Sequence, residues 1–286
     1  MKTKKNAIFY AILAAALYAL NAPVSKLLLT QIPSTMMAGL LYLGAGIGMF
    51  FMEKLNKKNE ELPLTKKELP YTIGMVVLDI AAPIFLMIGL TTCSAANASL
   101  LNNFEIVATS LIALFIFKES INKRLWAAIL FVTFSSILLS LEDMSSLTVS
   151  WGSLFVLLAC VCWGLENNCT RMLSSKNPAQ IVIIKGFGSG LGSLLLSLII
   201  RERFNGIGYM ILALILGFVA YGLSIYFYIY AQRYLGAAKT STYYAISPFI
   251  GAALSLIIFR EFPSAVFIIA LIIMAIGTYF ASTSDT

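Results

Sequence analysis

Tyr18-Ala-Leu-Asn21-Ala-Pro23-Val-Ser25-Lys26 and Trp163-Gly-Leu-Glu166-Asn-Asn-Cys-Thr170-Arg171 are two versions of one pattern, 145 residues apart. Aromatic lies over aromatic, polar group over polar group, hydroxyl over hydroxyl and cation over cation. The match extends outward at offsets of about 142–145 residues. Gly44, Gly46 and Gly48 lie over Gly188, Gly190 and Gly192, Ala95-Ala96 over Ala237-Ala238, and Phe117-Lys118-Glu119 over Phe259-Arg260-Glu261. Apolar sequences match one another cheaply. Charged and glycine positions recurring in one order across the chain do not, so the chain reads as a repeat with halves 1–146 and 147–286.

Composition says where such a chain can live. Of 286 residues, 59% are hydrophobic and 12% charged, against about 25% charged in soluble domains. That balance excludes an ordinary water-soluble enzyme and a disordered chain, and indicates a multi-pass membrane protein. Ten apolar segments follow, roughly 7–29, 34–52, 70–90, 94–117, 124–141, 151–173, 177–200, 207–230, 236–259 and 263–281. They are too long and too continuous for lipid-facing barrel strands, so the expected fold is all-α with ten transmembrane helices. Five crossings per repeat is an odd number, so the second copy enters from the opposite side. Paired inverted copies often hold a solute site near the midplane and move by alternating access.

The formal charge of +7 reads as loop lysines rather than as a nucleic-acid footprint. Most basic residues (Lys2, Lys4, Lys5, Lys54, Lys57, Lys58, Lys66, Lys67, Lys118, Lys123, Arg124, Arg171, Lys176 and Arg233) fall on one side of that topology. The bias places both termini in the cytoplasm, in a plasma membrane of bacterial inner-membrane type. Met1-Lys-Thr-Lys-Lys resembles the start of a signal peptide, but no small-residue cleavage site follows, and Asn21, Pro23 and Lys26 mark the far end of a retained helix. There are no histidines, and Cys93, Cys160, Cys162 and Cys169 have no zinc or disulfide spacing, so no metal or cofactor site is expected.

Ionisable groups inside spans are the main sign of function, because each costs about 2.5–3.5 kcal/mol at a helix centre. Asp79 and Glu105 lie near span centres and are too short to snorkel. They must pair, face a wet cavity or stay protonated. Helical spacing places Ser94, Asn102 and Thr109 on the side of Glu105, either as a cavity wall or as interhelical glue. Glu166 shares a face with Trp163 and Thr170, as Asn21 does with Tyr18 and Ser25. An aromatic beside a hydrogen-bonding group, supplied twice, suits a flat or cationic solute. Lys185 is either the counter-ion of Glu166 or a binder of anionic groups. Lys26 is expected to snorkel.

Tyr221, Tyr243 and Tyr244 are deep enough to line a site. Pro23, Pro83 and Pro248 interrupt helical hydrogen bonding and mark kinks that gate or stand still. Gly44, Gly48, Gly188 and Gly192 suit close helix packing. Gly186-Phe-Gly188-Ser-Gly190-Leu-Gly192 superficially matches a phosphate loop but follows no strand.

Taken in order, these motifs resemble those of the drug/metabolite transporter superfamily, in its ten-helix form with two EamA-type domains. Tyr18-Ala-Leu-Asn21 and Trp163-Gly-Leu-Glu166 resemble the aromatic–glycine–x–asparagine start of each repeat. Phe117-Lys118-Glu119 and Phe259-Arg260-Glu261 resemble the close of each fourth helix, and Ser247-Pro248-Phe249 the proline of the ninth span. The sequence departs from the family in having Glu105-Ile106 where the second half has Ser247-Pro248, and Glu166 where asparagine is commoner. The resemblance implies a transporter and leaves the solute open among amino acids, metabolites, nucleotide sugars and cationic drugs.

The expected function is secondary transport of a small organic metabolite by alternating access, with no catalytic residue, with proton-coupled export as the candidate form and the direction left open by the inverted repeat. The alternative is exchange of an anionic or nucleotide-linked solute through Lys185 and Lys239. An intramembrane enzyme or a channel is a more distant reading, since Asp79 is the only aspartate within a span. The expected partners are a small-molecule substrate and the lipid bilayer, and a monomer suffices.

Overall fold

A computed structural model describes residues 2–55, 62–116, 118, 121–143, 148–173, 176–204, 206–235, 240 and 243–282. Eight helices are long and apolar enough to cross a membrane: Asn6–Leu28, Ser34–Leu55, Lys66–Thr92, Ala95–Phe115, Lys123–Ser140, Trp151–Leu173, Pro178–Ile199 and Ile207–Ala231. They are the first to eighth spans below. Two further apolar helices follow, Ser247–Phe259 and Ala265–Ser282. The segment expected at 236–259 is therefore helical over a 13-residue stretch after Ile246, and its residues 236–239 and 241–242 lie outside those described. A short antiparallel ribbon, Leu141–Asp143 with Thr148–Val149, connects the halves.

Local chemistry sets the helix limits. The Asn122 side chain accepts from the Leu125 N–H at 2.8 Å. Asn177 accepts from Ala179 and Gln180, with Pro178 in the first turn. Lys118 and Arg260, superposed by the repeat register, both take up left-handed backbone, with φ of 55° and 54°.

Four central helices are irregular. The first span is interrupted at Leu20, because Pro23 has no N–H for the Ala19 carbonyl, and the Leu20 N–H bonds three residues back to Leu17. The fourth turns at Asn102–Asn103, where Glu105 and Ile106 bond three residues back rather than four. Polar side chains that compete for backbone groups favour such a turn. In the second half, Ala245–Ile246 turn just before Pro248. The eighth span carries a π-turn over Phe218–Leu223. Pro83 sits inside the continuous helix Leu69–Thr92.

The packing partners are reciprocal. The second span lies on the seventh, the third on the sixth and the first on the eighth. Ala95–Leu101 lies on Ser247–Phe259, and the fifth span on Ala265–Ser282. The second and seventh spans touch backbone to backbone: a Cβ on Gly46 would come 2.9 Å from the Gly186 and Phe187 backbone, and one on Gly190 would come 2.7 Å from the Leu43 nitrogen. Gly44 and Gly48 back onto Leu214 and Phe218 of the eighth span, and Gly188 and Gly192 onto Val76 and Ile80 of the third. Large apolar side chains such as Leu195, Leu198, Ile257 and Phe262 point outward, while Asn21, Ser25, Asp79 and Glu166 are buried. Apolar outside and charge inside is the arrangement of a bundle solvated by lipid.

Candidate functional site

Three spans bring one cation and two carboxylates together. The Lys185 ammonium on the seventh span lies 2.8 Å from Glu166 Oε1 on the sixth and 3.3 Å from Asp79 Oδ2 on the third. Asp79 is fully buried, and Glu166 and Lys185 are nearly so. The Tyr42 hydroxyl donates to Asp79 Oδ1 at 2.8 Å, and Thr170 donates to Glu166 Oε1. Glycine makes the approach possible. With only hydrogens at Gly188 and Gly192, the seventh span settles onto Val76 and Ile80, and Ser189 donates to the Val76 carbonyl at 3.1 Å. Lys185 is thus the counter-ion of Glu166 and of Asp79 as well. A buried cation with two such partners has little left to offer an anionic solute.

Glu105 is in a different position. It is half-buried on Phe104–Phe115, and its Oε1 accepts from Asn167 Nδ2 at 2.5 Å. The same amide reaches Thr109 Oγ1 at 3.3 Å. Among the described residues Glu105 forms no ion pair. The turn at Asn102–Asn103 also breaks the continuous polar face expected from Ser94 to Thr109. Ser94 instead caps its own helix, accepting from the Asn97 N–H.

A chain of aromatic rings leads away from Tyr42 and the Asp79 carboxylate. Asn21 Nδ2 donates to the Tyr221 hydroxyl at 2.9 Å, and Ser25 donates to Asn21 Oδ1 at 3.0 Å. Tyr221 contacts Tyr42 and Tyr18 with ring centroids 5.0 and 5.8 Å apart. Tyr18 then meets Tyr244 at 6.0 Å, and Tyr244 meets Tyr228 at 4.9 Å. Trp163 is buried within the same apolar core as Tyr221 and Tyr42. Tyr243 is half-buried and takes no part in this chain of rings.

Beside Tyr18 and Asn21, Ser99, Asn102, Ser247 and Pro248 line a small cleft. Its volume of about 10 Å³ holds roughly one water, so the described conformation is closed at this point. The Lys26 ammonium donates to the Leu90 carbonyl at 2.9 Å and to that of Cys93, satisfying the C-terminal end of the third span. Lys239 lies outside the described residues, as do Phe117 and Glu119.

Sequence reasoning passes over Tyr42 and Asn167. A signal is present for both. Asn167 adjoins Glu166, and Tyr42 lies two residues before Gly44 on the glycine-lined second span.

Comparison with known proteins agrees with the geometry. A solved crystal structure of a protein superposes with a TM-score of 0.69 at 15% identity, over 97% of this chain and 96% of that one. An uncharacterized transporter of Methanothermobacter thermautotrophicus (strain Delta H) is 25% identical over 288 residues, covering 94% of this chain and 83% of the relative. The profile of the EamA-like transporter family matches twice, over residues 5–141 and 150–283. With a buried charge cluster between two matched halves, the chain is a multi-pass membrane protein belonging to the EamA-like transporter family, within the drug/metabolite transporter superfamily.

Proposed function

We propose that this chain is a secondary transporter that moves a small organic cation or zwitterion by alternating access, through ten crossings in two inverted halves, 1–146 and 147–286. The observation that carries the solute charge is the pairing of Lys185. It is held between Glu166 and Asp79, while Glu105 keeps an amide as its hydrogen-bond partner. Within the described cluster one cation faces two carboxylates, and Glu105 adds a third carboxylate with no ion pair among the described residues, which favours positive charge on the solute. Glu105 is the carboxylate for which a proton and a cationic solute compete, and the rings of Tyr18, Tyr221 and Tyr244 supply faces for the cation. The reciprocal packing of the spans supports two interconvertible, oppositely open states. The lysine-rich loops support cytoplasmic termini in a plasma membrane. Catalysis forms no part of this reading.

The test begins with thermal stabilisation of purified protein by amino acids, nucleotides and organic cations, since a ligand of the native state raises its melting temperature. Counterflow of the stabilising solute in proteoliposomes follows. A cation or zwitterion is expected, with pH-driven uptake abolished in Glu105→Gln. Stabilisation by an anion that needs Lys185 and ignores Glu105 would establish the anion-exchange reading instead.

A further inference from the structure

Three helix interruptions, at Leu20, at Asn102–Asn103 and at Ala245–Ile246, border one cleft, and its lining is rich in oxygen. Ser99 Oγ, Asn102 Oδ1 and Ser247 Oγ are buried without a hydrogen-bond partner. Their residues are 3%, 9% and 1% exposed. The Ala19 carbonyl, deprived of its helical donor by Pro23, faces the same space. A Cβ placed on Gly251 would lie 2.9 Å from Ser99 Oγ and 3.2 Å from that carbonyl oxygen. The Asn21 amide is already committed to Tyr221, and Lys26 to backbone carbonyls of the third span.

We infer that this cleft is a binding site for a sodium-sized monovalent cation, coordinated by Ser99, Asn102, Ser247 and the Ala19 carbonyl. Four neutral oxygens around a space of about one water match an ion that exchanges its hydration shell for hydroxyl, amide and carbonyl oxygens. Unwound helix segments supply such carbonyls in other transporter folds. A divalent ion would need carboxylate ligands, and the cleft's own lining has none. Charge balance agrees with single valence. Glu105 lies one turn beyond Asn102, and Asp79 and Glu166 outnumber Lys185 in the adjoining cluster. Gly251 keeps the space open, and Pro23 leaves the Ala19 carbonyl without its helical N–H donor. The site stands apart from the choice of organic solute.

The test uses the full chain in detergent, melted in sodium, potassium or choline chloride at equal ionic strength. Sodium is expected to raise the melting temperature saturably, by about 3 °C at ten times its dissociation constant. Potassium should do much less and choline nothing. Ser99→Ala and Ser247→Ala each remove an unpartnered hydroxyl, so they should fold and lose the sodium increment. Leu195→Ala on the lipid face should keep it. Equal melting in all three salts would mean that a water fills the cleft, and a sodium response surviving both serine variants would place the ion elsewhere. Either result overturns the inference. Equilibrium binding of radioactive sodium to the wild-type chain, expected at one ion per chain, decides the matter even where a variant fails to fold. None of these readouts requires transport, so failure of the proposed function and failure of this site are distinguishable.

Discussion

Lys185→Met is the substitution whose consequence follows most directly from the geometry. At an effective dielectric of about 20, charges 2.8 and 3.3 Å apart attract by about 6 and 5 kcal/mol. The two carboxylate oxygens so held lie within about 6 Å of each other and repel by about 3 kcal/mol at the same dielectric. Desolvation of three buried charges offsets most of the net attraction, so the intact cluster contributes little. Removing the lysine alone is another matter, because both carboxylates then stay buried without a counter-ion. The expected cost is about 3–5 kcal/mol, or a fall of roughly 10 °C in melting temperature for a chain of this size.

The assay is thermal unfolding in detergent, followed by size-exclusion recovery. The control is the neutral variant Lys185→Met/Asp79→Asn/Glu166→Gln, which has no charge left to strand. It should recover more than half of the loss. A Lys185→Met protein within about 0.5 kcal/mol of wild type would refute the reasoning, and so would a triple variant no better than the single one.

Glu105→Gln is expected to fold like wild type and to make transport insensitive to a pH gradient, read as uptake with and without an imposed gradient. Gly46→Leu should cost about 1–3 kcal/mol by forcing the second and seventh spans apart, measured by the same melting assay. Tyr221→Phe loses the hydrogen bond from Asn21 and should cost about 1 kcal/mol while leaving the ring contacts to Tyr18 and Tyr42 in place. Pro23→Ala gives the Ala19 carbonyl a donor. It should raise the melting temperature in choline chloride and abolish the sodium increment.

Features that recur locally along the chain are legible in the sequence alone. A long apolar run shows itself within about 20 residues, and a repeat shows itself as a shift of the chain against its own copy. Pro23 announces its interruption because a missing N–H is a property of the residue. The turn at Asn102–Asn103 is not legible in this way. It has no proline, and its counterpart in the second half is signalled only through Pro248. Helical spacing identifies Asn102 as polar lining, but it also makes the face between Ser94 and Glu105 look continuous, and the turn breaks it. The carbonyl partners of Lys26 are hidden from the sequence for a related reason. Whether a long cation reaches headgroups or a carbonyl depends on which helix end lies beside it.

The membrane setting, the two-copy organisation and the identity of the buried ionisable groups follow from the order of residues, because hydropathy and repetition are properties of one chain read in line. The partners of those groups come from tertiary packing. Asp79 and Lys185 are 106 residues apart in sequence and 3.3 Å apart in space. Nothing in either helix alone selects that pairing, which follows from glycines on the seventh span admitting the third to close range. The same packing commits Lys185 to two carboxylates and leaves Glu105 with an amide. Which buried charges are paired with one another is therefore set by which helix faces meet, and not by how many charges the chain contains.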